Sequence, residues 1–301
     1  MSRAVLYDAT LCIGCRGCQV ACKEENRNPA EKTEFFARPG GYQNPAALSS
    51  KTFTLVTYYE FERAGGDPQW VFVRRQCMHC VEPICVAACP GNALRKEEDG
   101  TVSYAPATCI ACGTCGRVCP FGVPVLEQRD TGPYVWKCTF CQDRVSDPAV
   151  PDVLNEGHRT PDVLDDAKRA RYVAARRTPA CVAACPTGAL RHGERDALLA
   201  EAHRRLQQHP ERYVDHVYGE TEAGGTAWLY LAAVPFDQLG LPTHFETRPE
   251  KQEQGAGIGG WAPHLLGVGA VVSGLAWYTE RRDRVAASET PDTGTSARTT
   301  E

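Results

Sequence analysis

Sixteen cysteines, and the way they are spaced, constrain this 301-residue chain more than anything else in it. Cys12, Cys15, Cys18 and Cys22 read C-x2-C-x2-C-x3-C. Cys77, Cys80, Cys85 and Cys89 read C-x2-C-x4-C-x3-C-P, and Cys109, Cys112, Cys115 and Cys119 read C-x2-C-x2-C-x3-C-P. The last run is split: Cys138 and Cys141 form C-x2-C, and Cys181 and Cys185 form C-x3-C-P after a long gap. A cubane takes four thiolates, so the count matches four [4Fe–4S] clusters with every cysteine used. Disulfides suit smaller secreted scaffolds. Zinc also takes C-x2-C pairs, but a zinc ribbon has no use for a third and fourth cysteine ahead of proline. Four clusters in one chain describe a wire for single electrons.

The chain is rich in Gly (27) and Pro (21), with 43% hydrophobic residues. Much of its order is therefore expected to come from metal binding, which in such domains is folding free energy. The formal net charge is -4, and each oxidised cubane with its four thiolates adds about two negative charges. This balance argues against nucleic-acid binding, which needs a basic face.

Periodicity predicts strands at residues 3–8, 52–62, 70–76, 101–104 and 226–234. Helices are expected at 18–26 and 194–208, with a partly helical charged stretch at 152–177. The sequence AGGDPQ (64–69) marks a hairpin turn. Runs two and three lie close together, while runs one and four flank them. The fold expected is α+β: two ferredoxin-like two-cluster modules, duplicated and nested, with loop insertions and one C-terminal transmembrane helix. The outer unit takes 1–50 and 138–245 and the inner unit 51–137. A linker (246–257), a membrane helix (258–278) and a polar tail (279–301) follow. Proline follows Cys89, Cys119 and Cys185, whereas Lys23 follows Cys22.

Residues 258–278, IGGWAPHLLGVGAVVSGLAWY, contain no Asp, Glu, Lys or Arg, a length suited to one crossing. Trp261, Trp277 and Tyr278 stand near its ends, and Arg281, Arg282 and Arg284 follow. The positive-inside rule then puts the tail in the cytoplasm and the cluster domain outside the cytoplasmic membrane of a prokaryote. The N-terminus has neither an apolar h-region nor a twin-arginine pair, so crossing is expected only in company with a signal-bearing partner.

The four-run pattern, opening on CIGCRGCQVACKEEN and closing on CVAACPTGAL, resembles the iron–sulfur subunits of respiratory oxidoreductases. Residues 213–242, YVDHVYGETEAGGTAWLYLAAVPFDQLGLP, look most like the Hyb-type subunit of membrane-bound nickel–iron hydrogenase. The β subunit of formate dehydrogenase, or of another molybdopterin oxidoreductase, is the alternative. The resemblance implies four ligand sets: Cys12, Cys15, Cys18 and Cys185; Cys22, Cys138, Cys141 and Cys181; Cys77, Cys80, Cys85 and Cys119; Cys89, Cys109, Cys112 and Cys115. It also implies a catalytic partner subunit, an integral membrane partner that reduces quinone, and no catalytic residue in this chain. A soluble polyferredoxin shuttle and a zinc-binding scaffold are the rival readings. His79, inside CMHC, is expected to support a ligand loop or face solvent rather than ligate. The glycines of 255–260 read as a flexible entry to the span rather than a phosphate cradle.

Overall fold

Strand β1 (Arg3–Asp8) organises the molecule. Its Ala4–Asp8 are all buried, so both faces of the strand are covered. The polar alternation expected of it is absent, because β1 is the central strand of a three-stranded sheet ordered β8-β1-β9. β8 (Leu190–Glu194) pairs antiparallel, with Tyr7 opposite Leu190, and β9 (Trp228–Leu231) pairs parallel, with Val5 opposite Trp228. The structure is a computed structural model that describes residues 2–33, 42–62, 65–129, 132–145 and 178–245, with 273, 275–277 and 279–281 beyond them.

One face of β1 carries Ala4 and Leu6. They pack on the last long helix, α6 (Arg195–Gln208), through Leu198, Ala202 and Leu206 at four-residue spacing. The other face carries Val5 and Tyr7, which join Trp228, Tyr230 and Phe140 on the side of the cysteine loops. Asp8 ends the strand buried, and its Oδ2 accepts from Arg205 Nη1 and from the Tyr213 hydroxyl, both at 2.8 Å. The helix is thereby locked to the strand that leads into the first cysteine run.

Three antiparallel hairpins complete the sheets. β2 (Leu55–Glu62) pairs with β3 (Pro68–Arg75), starting three residues later than expected. Thr52 instead bridges to Ser49. β4 (Leu94–Lys96) pairs with β5 (Val102–Tyr104), and β6 (Val125–Arg129) with β7 (Gly132–Trp136).

Among the described residues of this part of the chain the five other α-helices are short, and four of them form two pairs. α1 (Gly17–Glu25) packs on α5 (Ala180–Ala183), and α2 (Ile84–Ala87) packs on α3 (Thr114–Arg117). α4 (Gln142–Val145) follows Cys141. The α2 and α5 segments share the sequence P-x-C-V-A-A-C-P, at Pro83–Pro90 and Pro179–Pro186. Each begins at an extended proline.

Residues Met1–Glu246 form one unit and Thr247–Glu301 a second. In the second, residues 273, 275–277 and 279–281 are helical and exposed, with Arg281 over the Trp277 ring at 5.3 Å. Most of the 258–278 segment expected to cross a membrane lies outside the described residues, as does the charged stretch 152–177. No helix of the described residues is long and apolar enough to cross a membrane.

Candidate iron–sulfur centres

The first C-x-x-C loop of each of the four runs shares one backbone feature. The residue before the second cysteine has a positive φ in each: Gly14 (66°), His79 (47°), Ala111 (60°) and Phe140 (60°). A left-handed residue reverses the chain tightly and turns successive N–H groups to one side, the concave arrangement that receives anions. Only Gly14 adopts it without strain. A Cβ there would also lie 2.7 Å from the Phe72 ring, so nothing larger fits. A second left-handed residue, Arg16 or Gly113, caps α1 and α3 in the two C-x2-C-x2-C runs.

The sixteen cysteines are unbridged, and the fold brings distant runs together. Burial, with the sulfurs of Cys185 and Cys15, raises the Cys12 thiol against hydrogen bonds from Tyr7 and Gly14. Cys18 is pushed up to about 12 by burial, with Cys181, Cys12 and Cys15 adding and Arg74 opposing. Burial and Cys181 lift Cys22 to about 11, and burial, Cys181 and Cys22 lift Cys141 to about 12. Cys138 is raised by burial, Cys22, Cys77 and Cys181. In the inner runs, burial raises Cys80, with Cys77, Cys119 and Cys85 adding to it. Cys85 is lifted to about 12 by burial with Cys77, Cys119 and Cys115. Cys115 is raised by burial, then by Cys112, Cys89 and Cys109. Each neighbourhood thus joins cysteines from two runs.

Packing links one neighbourhood to the next: Cys18 and Cys181 share one buried cluster, Cys77 and Cys138 a second, and Cys85 and Cys115 a third. Exposure follows the same order. Cys15 and Cys112 are exposed at the two ends, whereas Cys22, Cys138, Cys141 and Cys181 are all buried. Ile13 and Ile110, each next to an end cysteine loop, are 60% and 63% exposed.

The donor set fits cubanes. Buried neutral thiols in groups of four would resist ionisation unless cations shared the site, and iron supplies them. Main-chain N–H groups already point at sulfur, from Ala93 to Cys89 Sγ at 3.2 Å and from Phe140 to Cys138 Sγ at 3.3 Å. Asn26 Nδ2 lies 3.6 Å from Cys22 Sγ. Among the described residues no three His, Cys, Asp or Glu side chains form a group for a single metal ion. A cubane asks for a wider set, because its four thiolates bind four different irons.

His79 takes the first of its two expected roles: it is fully buried, with Nε2 on the Cys138 carbonyl, rather than facing solvent. Its neighbours were not foreseen. Burial, with Lys137 and Lys96 nearby, depresses its pKa and keeps the ring neutral. Lys137 is also buried, and its Nζ donates to the carbonyls of Val102 and Cys138. Arg74, on β3, is 0% exposed.

Comparison with known proteins finds iron–sulfur relatives. Residues 68–157 match the family described as a 4Fe-4S dicluster domain. The chain is 37% identical over 290 residues to a protein of Nitratidesulfovibrio vulgaris strain Hildenborough, covering 96% of this chain and 70% of that one. It is 35% identical over 231 residues to the iron–sulfur subunit of the nitrate-inducible formate dehydrogenase of Escherichia coli K12, covering 76% and 67%. It is 31% identical over 271 residues to the hydrogenase-2 operon protein HybA of Escherichia coli O157:H7, covering 80% and 73%.

Proposed function

The chain belongs to the family of iron–sulfur subunits that includes those of formate dehydrogenase and the HybA protein, and we propose that it carries single electrons between a catalytic subunit and a quinone-reducing membrane subunit. The clusters, when bound, supply four one-electron stations. The ligand sets are Cys12, Cys15, Cys18 and Cys185; Cys22, Cys138, Cys141 and Cys181; Cys77, Cys80, Cys85 and Cys119; and Cys89, Cys109, Cys112 and Cys115. The outer unit (1–50 and 138–245) holds the first two sets and the inner unit (51–137) the other two.

The observation that carries this reading is the linear order of the four cysteine neighbourhoods. Cys18 and Cys181, Cys77 and Cys138, and Cys85 and Cys115 each pack in one buried cluster, which supports a single path through the four sets. Its ends surface at Cys15 and Cys112, beside the exposed Ile13 and Ile110, where partner subunits can approach closely. The protein's own work is to fix the spacing, exclude water from the middle stations and set local charge and hydrogen bonding. The 258–278 segment anchors the subunit by one span, with the cluster domain on the periplasmic side and the tail in the cytoplasm.

The donor we favour is a nickel–iron hydrogenase, on the likeness of residues 213–242. This segment forms β9, buried throughout and paired with β1, and its flanks. The 35% identity to a formate dehydrogenase subunit supports a molybdopterin partner as the second reading. Anaerobic purification of the tagged chain from its own membranes, followed by hydrogen- and formate-driven quinone reduction, tests the assignment. Hydrogen-driven activity in the co-purified complex is expected. Formate-driven activity selects the second reading, and a chain recovered from the soluble fraction without partners overturns both.

A further inference from the structure

Arg74 on β3 is fully buried, and among the described residues no carboxylate pairs with it. Its Nη2 donates to Thr54 Oγ1 at 2.9 Å, and the guanidinium stacks 4.1 Å from the centre of the Trp228 ring. Its Nε and Nη1 are buried and have no hydrogen-bond partner among the described residues. The main chain is pinned as well, since the Tyr230 hydroxyl donates to the Arg74 carbonyl at 2.9 Å. Trp228 and Tyr230 both belong to β9, so the sheet itself holds this cation in place.

An unpaired buried charge is strongly unfavourable, and so is an unsatisfied buried donor. Something must offset both. The cysteine loops lie around it: Trp228, on which it stacks, shares one buried cluster with Cys181 and Phe140, and Cys18 packs against that cluster. The sulfurs of Cys181, Cys18, Cys138 and Cys22 favour the charged guanidinium against the effect of burial. Three of these four belong to the buried set Cys22, Cys138, Cys141 and Cys181, and Cys18 is its neighbour in the path.

We propose that Arg74 is a built-in counter-cation for the Cys22–Cys138–Cys141–Cys181 site, supplying its two unpartnered N–H groups there and raising that site's reduction potential. The inference deepens the function proposed above and rests on its ligand sets. An oxidised cubane with four thiolates carries about two negative charges, and one electron makes the site more negative. A fixed positive charge in a low-dielectric interior favours the more negative form. Each electron arrives from one neighbouring site and leaves to the other, so Arg74 exchanges neither electron nor proton. Arginine suits this place better than lysine: it stays charged, is weakly hydrated and stacks on Trp228. Without it, the most buried station would be the hardest to reduce and would interrupt the path.

The test uses the full chain, purified anaerobically, with iron and sulfide determination and EPR-monitored redox titration. The relevant signal is identified as the one lost in Cys22→Ser. In Arg74→Gln with full iron, the reduced-to-oxidised ratio of that cluster at the wild-type midpoint should fall about tenfold, a shift of about 59 mV for one electron. The Cys89–Cys109–Cys112–Cys115 cluster should keep its potential, and Arg74→Lys should recover at least half of the shift. Unchanged potentials in a fully loaded Arg74→Gln overturn the proposal. Should Arg74→Gln lose iron, Arg74→Lys decides. Full iron and a near-wild-type midpoint support the role; loss of iron, or a full tenfold shift, overturns it. A wild-type chain without four clusters would instead defeat the ligand sets on which it rests.

Discussion

His79 Nε2 donates to the main-chain carbonyl of Cys138 at 3.1 Å, joining two cysteine loops 59 residues apart. The tautomer follows from the other nitrogen, since Val102 N–H donates to Nδ1 at 2.9 Å. His79 therefore stands between Cys77 and Cys80 in sequence and against Cys138 in space. It ties the Cys77–Cys80 loop to the Cys138–Cys141 loop. A neutral, fixed ring here keeps the two loops at constant separation, which a tunnelling path requires.

Removing that ring should loosen the junction. His79→Ala leaves a cavity and strands the buried Val102 N–H, whereas Cys138 keeps the Lys137 Nζ at 3.1 Å. The expected cost is about 2–4 kcal/mol, or roughly 5–10 °C in apparent Tm for the iron-loaded protein. His79→Asn should lose less, because Asn tolerates the left-handed backbone that His79 adopts (φ 47°). An unchanged melting temperature in His79→Ala would show that the hydrogen bond does not hold the loops.

The crossover of ligands makes a sharper statement. Cys22 follows Cys12, Cys15 and Cys18 in sequence, yet its thiol feels Cys181 most among the other sulfurs. Cys22→Ser should therefore damage the cluster of Cys138, Cys141 and Cys181 and spare that of Cys12, Cys15 and Cys18. Its iron content should fall by about four atoms, one cubane. EPR showing loss of the Cys12–Cys15–Cys18 signal alone would reverse the assignment.

Much of this was legible in the sequence because ligand spacing is a local property. The four runs, β1, the β2–β3 hairpin and the amphipathic α6 could be read directly, since Leu198, Ala202 and Leu206 repeat at helical spacing. What could not be read depends on neighbours far along the chain. β8 (LRHGE) has little strand character of its own and exists because it pairs with β1. The β6–β7 hairpin, by contrast, pairs adjacent segments and was missed although its signal is local. Arg74 breaks the rule that charge faces water, and what it packs on, the Trp228 ring, comes from far along the chain. The left-handed turns at His79, Ala111 and Phe140 carry no glycine to announce them. Only Gly14 gives a sequence signal for a geometry that all four loops share.

His192 gives the fold a pH dependence. It lies on β8 with a buried Nε2 that has no partner among the described residues. Burial, and then Arg3, push its pKa down to about 4. The unfolded chain takes up this proton near pH 6.5, before the folded one does, so stability is full above that value and falls as the pH drops toward 4. Between about pH 7.5 and pH 5.5, the apparent Tm of His192→Phe should fall less than that of wild type. Equal losses would remove His192 from the account.

The central claim is that four cysteine sets hold four cubanes. Its most direct test is iron and acid-labile sulfide per chain in protein purified anaerobically without reconstitution. The account predicts about sixteen of each, four per cluster. Twelve or fewer irons at full occupancy, or zinc in their place, would contradict it.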